Sequence, residues 1–82
     1  MTTVQQIDDW FERGVEGGAT HMIVAVDQFD GEGYPAYVWG GEVRDRLGRI
    51  RAAGMQRAME VYDLRLNKAA QLAEAYAWHV PA

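Results

Sequence analysis

The pattern of hydrophobic and polar positions predicts a helix and then a strand in the first part of the chain. Val4, Ile7 and Phe11 lie at helical spacing, and a threonine precedes them in the position of an N-cap. Two glycines at 17–18 then predict the end of this helix. The segment HMIVAVDQF at 21–29 is short, rich in β-branched residues and bounded by turn residues, so it predicts a strand.

The residues that follow predict a β-hairpin. DGEG at 30–33 offers glycines for the positive φ angles of a tight turn, and YPAYVW at 34–39 returns as the second strand. Such a turn pairs Phe29 with Tyr34. Pro35 has no N–H to donate to a neighbouring strand, so we expect this second strand at an edge of the sheet.

The second half of the chain predicts a helix, a strand and a helix. EVRDRLGRIRAA at 42–53 has apolar residues at helical spacing, and Gly54 ends it. MQRAMEVYDLRL at 55–66 fits a helix or a strand, and its alternation and β-prone centre favour the strand. Asn67 is then expected to cap a last helix over KAAQLAEAYAWHV at 68–80.

This order, α-β-β-α-β-α, predicts a single α+β domain over residues 1–82. Since the second strand is expected at an edge, the first strand should be central. The fold class is therefore a small domain with a three-stranded antiparallel sheet in the order 2-1-3 and helices mainly on one face. The connection from the second strand to the third should be right-handed.

Both faces of the predicted sheet are apolar, because the strands do not alternate cleanly with polar residues. The face expected to form the core carries Met22, Val24, Val26, Tyr37 and Trp39. The other face carries His21, Ile23, Ala25, Asp27, Phe29, Tyr34, Ala36 and Val38. An apolar face of this size usually marks an interface, so we expect a homo-oligomer that buries it or a helix that covers it. A register shift of one residue would exchange the two sets.

Composition excludes several classes of protein. The net charge of −4 argues against general nucleic-acid binding, which needs a surplus of basic residues to neutralise phosphates. The chain contains no cysteine, which excludes disulfides, thiolate metal sites and cysteine catalysis and fits a reducing cytoplasm. Neither an apolar N-terminal segment nor a run of about 18 apolar residues is present, so we expect neither a secreted precursor nor contact with a membrane.

The charges are unevenly distributed along the chain. Residues 1–32 have a net charge of −6, with Arg13 as their only basic residue, whereas residues 43–57 have a net charge of +4. Solvated helix faces with internal ion pairs explain this pattern. A polar contact between subunits or a local anion site explains it as well.

The carboxylates and histidines match no metal or catalytic motif. Asp27, Asp30 and Glu32 do not have the spacing of the twelve-residue calcium loop, and an aspartate followed by glycine is typical of a turn. His21 and His79 have no second histidine or cysteine at ligand spacing. A hydrolytic site would require His21 and a carboxylate in one cleft. The sequence therefore predicts no cofactor and no metal.

The aromatic residues give a stronger indication of ligand binding. Tyrosine and tryptophan offer flat apolar surfaces with a polar tip, which suit stacking on a base or anchoring a partner. Neighbouring carboxylates can accept hydrogen bonds from ribose hydroxyls, and arginines can bind a phosphate. Tyr37 and Trp39 fit a place in the core better than a place in a site. The predicted ligand-binding residues are Asp27, Phe29, Asp30, Tyr34, Tyr62, Arg44 and Arg57.

Two blocks of this chain resemble a group of small bacteriophage-encoded proteins of unassigned role. HMIVAVDQFDGEGYPAYV at 21–38 fits their shared HMIV-x-x-D-x-F-D-x-E-x-YP-x-YV stretch, and MEVYDL at 59–64 fits a second shared stretch. The resemblance covers roughly residues 20–78. Gly31 and Gly33 depart from it, since bulkier or acidic residues are expected there. The resemblance implies a phage accessory protein, located in the host cytoplasm, without an established activity.

Phage accessory proteins of this size commonly counter host defence. The resemblance and the aromatic, acidic hairpin together favour a non-enzymatic homo-oligomer that sequesters a nucleotide-derived small molecule between the hairpin and the MEVYDL strand. The charge asymmetry equally fits a protein–protein inhibitor of a host defence factor. A small phosphodiesterase that uses His21 is a third and weaker alternative.

Overall fold

The computed structural model describes residues 2–81, and its elements follow the predicted order. The helices in this range are α1 (Val4–Glu16), α2 (Val43–Ala52) and α3 (Lys68–Leu72). The strands are β1 (His21–Asp27), β2 (Gly33–Val38) and β3 (Gln56–Asp63). They form one three-stranded antiparallel sheet in the order β2-β1-β3. The predicted α+β fold class is thereby confirmed.

The hairpin between β1 and β2 has the predicted faces but a longer turn than predicted. Tyr34 pairs with Ala25 rather than with Phe29, so residues 28–32 connect the strands. The chain turns early because the carboxylate of Asp27 accepts a hydrogen bond from the backbone N–H of Phe29 at 2.8 Å. Its backbone oxygen also accepts one from Gly31 at 2.7 Å. The register differs from the prediction by four residues, and an even shift leaves each side chain on its predicted face.

Both faces of the sheet are covered within the single chain. One core cluster joins α1 to the sheet and consists of Ile7, Phe11, Ala19, Met22, Val24, Tyr62, Leu64 and Ala77. The cluster on the opposite face consists of Ile23, Ala25, Ala36, Val38, Val43, Leu47, Ile50 and Val61. Helix α2 supplies Val43, Leu47 and Ile50 to this second cluster. Of the two expectations for the second apolar face, a covering helix is therefore the one found. This face no longer argues for an oligomer.

Helix α1 packs unusually close to the sheet at one glycine. A Cβ on Gly14 would lie 2.5 Å from Cδ1 of Leu64 and 2.8 Å from Cε1 of Tyr37. The ring of Tyr37 is held at this contact because its hydroxyl donates a hydrogen bond to the backbone oxygen of Trp10 at 2.7 Å. The glycine that interrupts the helical pattern is thus explained by the approach of the sheet.

Strand β3 contains a bulge that explains its ambiguous sequence pattern. Val24 pairs with Glu60, and the next residue, Ala25, pairs with Ala58, so Met59 is the extra residue. Its side chain is 40% exposed. The prediction of a strand for this segment is confirmed, although alternation is interrupted at the bulge.

The last helix is shorter than predicted. Asn67 caps it by accepting a hydrogen bond from the N–H of Ala70 at 2.8 Å, but α3 ends at Leu72. The predicted continuation to residue 80 is wrong because the chain returns along the outer edge of β3. There Val61 donates to the backbone oxygen of Ala77 at 3.0 Å and accepts from the N–H of His79 at 2.9 Å. Backbone pairing with this edge replaces further helical turns.

Within residues 2–81, no helix combines the length and the apolar composition that crossing a membrane requires.

Candidate functional site

The carboxylates of the hairpin hold its turn rather than face a common pocket. Asp27 accepts from Phe29 as described above, and Asp30 accepts a hydrogen bond from the N–H of Glu32 at 2.9 Å. Both contacts are aspartate turns, in which a side chain replaces a backbone acceptor. Phe29 lies at the tip of this turn and is 85% exposed. Phe29 and Asp30 lie in the connection between the strands and Asp27 directly precedes it, and the hydrogen bonds of the turn explain both aspartates.

Tyr34 lies on the face of the sheet that α2 covers. It packs against the α2-side core cluster, and its hydroxyl donates a hydrogen bond to Oε1 of Gln56. Partial burial, and then the negative charge of Asp27, raise the pKa of Tyr34, whereas Arg46 acts in the opposite direction. Tyr34 and Asp27 are therefore neighbours, as predicted.

Tyr62 lies on the opposite face of the sheet from Tyr34. It pairs with Met22, is 2% exposed and contacts the ring of Phe11 edge to face, with ring centroids 6.3 Å apart. Its hydroxyl donates to Oε1 of Glu60 at 3.1 Å. Burial, and then the charge of Glu60, raise the pKa of Tyr62 strongly. Because the two tyrosines are on opposite faces, the expectation that they contact one ligand is wrong.

The two predicted arginines also lie apart. Arg57 pairs with Val26 near the hairpin and is exposed. Arg44 belongs to α2, and its Nε donates a hydrogen bond to the backbone oxygen of Pro81 at 3.1 Å. The seven predicted residues are thus distributed over the turn, both faces of the sheet and α2.

A hollow of about 340 Å³ does lie between the hairpin and β3, where the sequence predicted a pocket. We call it the hairpin hollow, and its lining residues are Thr2, Ile7, Val24, Ala25, Val26, Gly31, Met59 and Glu60. None of the seven predicted residues is among them. Its lining is mainly apolar, and its one ionisable side chain is the carboxylate of Glu60. This chemistry disfavours a phosphate.

The cationic and aromatic chemistry that the sequence predicted is found in a different place. A groove of about 320 Å³ lies between α2 and the C-terminal segment. We call it the arginine groove, and its lining residues are Arg44, Leu47, Arg51, Trp78 and Val80. The first three are spaced i, i+3 and i+7, so they share one side of α2.

The charges of the arginine groove are not neutralised by the part of the chain that the structure describes. Arg49 on the same helix pairs with Asp45 at 3.1 Å. In residues 2–81, by contrast, no carboxylate oxygen lies within 4.0 Å of a guanidinium nitrogen of Arg44 or Arg51. Unpaired guanidinium groups along one groove favour an anion.

The aromatic wall of the groove is reinforced by a second ring. Trp78 is 37% exposed and stacks on Tyr76, with ring centroids 5.7 Å apart and an angle of 12° between the planes. Leu47 is 5% exposed and forms an apolar part of the lining. A flat ring can therefore enter beside an indole, and its charged substituents can reach a guanidinium.

His21 is buried and does not line a cleft. Its side chain is 2% exposed, and Nδ1 lies 2.9 Å from Oγ1 of Thr20. That hydroxyl also lies 3.2 Å from the backbone oxygen of Val38 and 3.1 Å from that of Gly40, so the ring of His21 is held by contacts inside the fold. Nε2 lies 3.5 Å from the carboxylate of Asp63 without a hydrogen bond to any described residue. The phosphodiesterase alternative, which required an accessible His21, receives no support.

Asp63, the neighbour of His21, belongs to a structural network. Arg65 donates to both of its carboxylate oxygens, at 3.0 and 2.9 Å, and holds the pKa of Asp63 below its usual value. Gln71 donates to the backbone oxygen of Asp63 and accepts from its N–H, both at 2.8 Å. This network joins β3 to α3, and its polar groups form hydrogen bonds with one another.

No protein-family model, curated protein or solved structure matches this chain. The chemistry of its own residues is therefore the basis for a functional proposal. Of the cationic and aromatic residues that line the arginine groove, the predicted ligand-binding residues include Arg44 but neither Arg51 nor Trp78. The spacing of the arginines around Leu47 was a usable signal, but Trp78 was assigned to a helix that the chain does not form.

Proposed function

We propose that this protein is a non-enzymatic binding protein that holds a small, anionic, nucleotide-like ligand in the arginine groove. The observation that carries the proposal is one groove in which an indole ring, that of Trp78, meets two guanidinium groups, those of Arg44 and Arg51, which no carboxylate of residues 2–81 pairs with. Arginine binds phosphate through several donors in a fixed plane, and tryptophan packs against a flat ring. A nucleotide offers both partners in one molecule.

The spacing of the arginines suggests how such a ligand would lie. Seven residues along a helix correspond to about 10 Å along its axis, so Arg44 and Arg51 reach different parts of a ligand. Leu47 lies between them on the helix and offers an apolar contact. A base or ribose would contact Leu47 and Trp78, while phosphates would lie near a guanidinium at one end or both.

The size of the groove fits a small ligand. Its volume of about 320 Å³ is at the lower end of the range of roughly 300–1,000 Å³ for small-molecule sites. None of its lining residues is a histidine, a carboxylate or a hydroxyl side chain. Binding without turnover is therefore the activity that these side chains support.

The resemblance to phage accessory proteins supports a biological role for such binding. In that role the protein sequesters a nucleotide-derived defence signal in the cytoplasm of the host. The proposal does not depend on a homo-oligomer, because α2 covers the face that had suggested one.

Isothermal titration calorimetry with nucleoside mono- and diphosphates, ADP-ribose and cyclic dinucleotides tests the proposal. Binding of at least one of them is expected, and Arg51→Gln should weaken it by roughly tenfold, as expected for the loss of one charge-assisted contact. Arg57→Gln removes the same charge outside the groove and serves as the matched control. Absence of heat with all these nucleotides, or equal affinity of Arg51→Gln and the unmodified protein, would refute the proposed site.

A second candidate function is the inhibition of a host protein, and one observation favours it. Phe29 and Met55 are 85% and 50% exposed, and their loops are joined by a hydrogen bond of 2.7 Å from the N–H of Gln28 to the backbone oxygen of Met55. Exposed apolar side chains at one end of a domain can anchor a partner. A stoichiometric complex with a host protein that is lost in Phe29→Ser, and kept in Leu66→Ser, would support it. Leu66 is similarly apolar and 54% exposed.

A further inference from the structure

We propose that the hairpin hollow is a second, separate binding site, which takes a small organic ammonium ion whose charge is neutralised by Glu60. Such a ligand has an apolar body that fills the hollow and one protonated amine that meets the carboxylate. The site lies by the hairpin and β3, whereas the arginine groove lies between α2 and the C-terminal segment. The inference does not rest on the proposed function of the arginine groove.

The walls of the hollow follow from two local features of the chain. The bulge in β3 takes Met59 out of the regular alternation next to Glu60. The segment before α1 crosses the hairpin at Gly33, where an added Cβ would lie 1.9 Å from Oγ1 of Thr2. Thr2 can form part of the lining because residue 33 has no side chain. The hollow is therefore bounded by the hairpin, the bulge and the start of α1.

The lining can remove an apolar ligand from water. Ile7 and Val24 are 7% and 3% exposed and belong to the core on this face. Val26 lies on the same face of the sheet as Val24, and Met59 contributes a flexible thioether at the rim. Methionine adapts its shape to different apolar partners, which suits a binding site. The volume of about 340 Å³ restricts the ligand to a small molecule.

The proposal depends mainly on which groups surround the carboxylate of Glu60. Its side chain is half-buried, and its carboxylate accepts two hydrogen bonds, from the hydroxyl of Tyr62 at 3.1 Å and from the N–H of Ala77 at 3.2 Å. Both donors are neutral. Among residues 2–81, no basic nitrogen lies within 4.0 Å of this carboxylate.

The other acidic residues that are at least partly buried show why this matters. Asp8 pairs with Lys68 and Asp63 pairs with Arg65. Asp27 has no basic partner within 4.0 Å among residues 2–81, and its carboxylate accepts a backbone hydrogen bond in the hairpin turn instead. A partly buried negative charge in apolar surroundings is unfavourable unless a cation compensates it. A bound ammonium ion supplies the missing charge and gains a charge-assisted hydrogen bond.

The surrounding charges also select a cation. Asp30 and Glu32 lie in the hairpin turn that borders the hollow at Gly31. Arg57 is the basic residue that follows on the same face of β3, opposite Val26, but it is exposed and does not line the hollow. The carboxylates raise the local concentration of cations and disfavour anions at this end of the domain.

A chemical-shift titration of the full chain with benzylammonium tests the inference. The backbone amides of Gly31, Met59 and Glu60 should shift together in ¹H–¹⁵N spectra. Benzyl alcohol has the same apolar body without the charge, and its affinity should be lower by roughly tenfold or more, as for a lost hydrogen bond to a charged group. Shifts with benzylammonium no larger than those with benzyl alcohol would overturn the proposal.

Two variants assign the effect to Glu60. Glu60→Gln should abolish the preference for the charged probe, whereas Glu16→Gln, which makes the same change of charge at the exposed C-terminal end of α1, should keep it. Met59→Lys places an ammonium group at the partly exposed rim and should compete with the probe even if Glu60→Gln does not fold. Retention of the preference in Met59→Lys or in Glu60→Gln would refute the assignment. Arg51→Gln should leave binding of benzylammonium unchanged, because the two sites are separate.

Discussion

The close contact between α1 and the sheet predicts opposite effects for the same substitution at two helical glycines. Gly14 and Gly48 both lie inside helices, in α1 and α2. A Cβ on Gly14 would meet Leu64 at 2.5 Å and Tyr37 at 2.8 Å, whereas a Cβ on Gly48 would have no described atom within 4 Å apart from its chain neighbours and the backbone of its own helix. We therefore expect Gly14→Ala to destabilise the protein and Gly48→Ala to stabilise it.

The magnitudes follow from two opposing contributions to the free energy of unfolding. Replacing glycine by alanine in a helix interior stabilises the protein by about 0.5–1 kcal/mol, because alanine lowers the conformational entropy of the unfolded chain and has the higher helix propensity. At Gly48 this contribution acts alone. At Gly14 the added carbon is about 1 Å closer to its neighbours than the ordinary carbon–carbon contact distance of ~3.5–4.0 Å. Overpacking of this kind costs about 1–3 kcal/mol.

The geometry places Gly14→Ala in the middle of that range rather than at its lower end. The methyl group of Leu64 can rotate away, but the ring of Tyr37 is held by its hydrogen bond to Trp10. Since the propensity contribution is common to both variants, the difference between them isolates the overpacking. We expect a difference of about 2 kcal/mol, which corresponds to roughly 8–16 °C in Tm for a domain of this size.

Urea unfolding of both variants and the unmodified protein, followed by circular dichroism, measures this difference directly. Equal slopes against denaturant concentration show that the unfolded states are comparable. If Gly14→Ala stabilised the protein as much as Gly48→Ala does, the close packing of α1 on Leu64 and Tyr37 would be refuted.

Two further predictions concern charged groups. Burial lowers the pKa of His21 from 6.5, against the opposing charge of Asp63, so the folded protein favours the neutral ring. Because the unfolded chain binds this proton more readily, stability should fall as the pH decreases below about 6.5, and His21→Gln should remove that part of the slope in unfolding measured between about pH 7.5 and pH 5.5. An unchanged slope in the variant would contradict the burial of the ring. Lys68→Met should lower the urea midpoint only slightly, because Lys68, Asp8 and Glu12 are partly exposed and solvent screens their ion pairs. A loss in the same unfolding assay as large as that expected for Gly14→Ala would contradict this expectation.

The fold was predictable where the determining signals are local. Pro35 placed its strand at the edge of the sheet, because a missing donor is a property of one residue. Asn67 and the threonine before α1 marked the starts of helices, because a cap contacts residues two or three positions away. Successive residues of a strand point to opposite faces, so the side chains of β1 were assigned to the correct faces. An error of four residues in the register of the hairpin did not change this assignment.

The candidate sites were predictable only in part, because they depend on contacts between distant segments. The MEVYDL segment read as a strand, but its pairing with β1 and the bulge at Met59 decide that Tyr62 faces away from Tyr34. The arginine and aromatic residues expected around a nucleotide-like ligand lie together in the arginine groove rather than in the hairpin. A strand pattern alone does not indicate which strand positions meet.

The sequence by itself determined the order of elements, the order of the strands, the helix caps and the two sets of residues on the sheet faces. Tertiary structure decided that α2 covers the second face and that α3 ends at Leu72. It also decided that Arg51 and Trp78 meet in one groove. The physical reason is the range of the interactions. Hydrophobic periodicity, caps and proline act within a few residues, whereas the edge of β3 that captures Ala77 and His79 exists only after the sheet has formed.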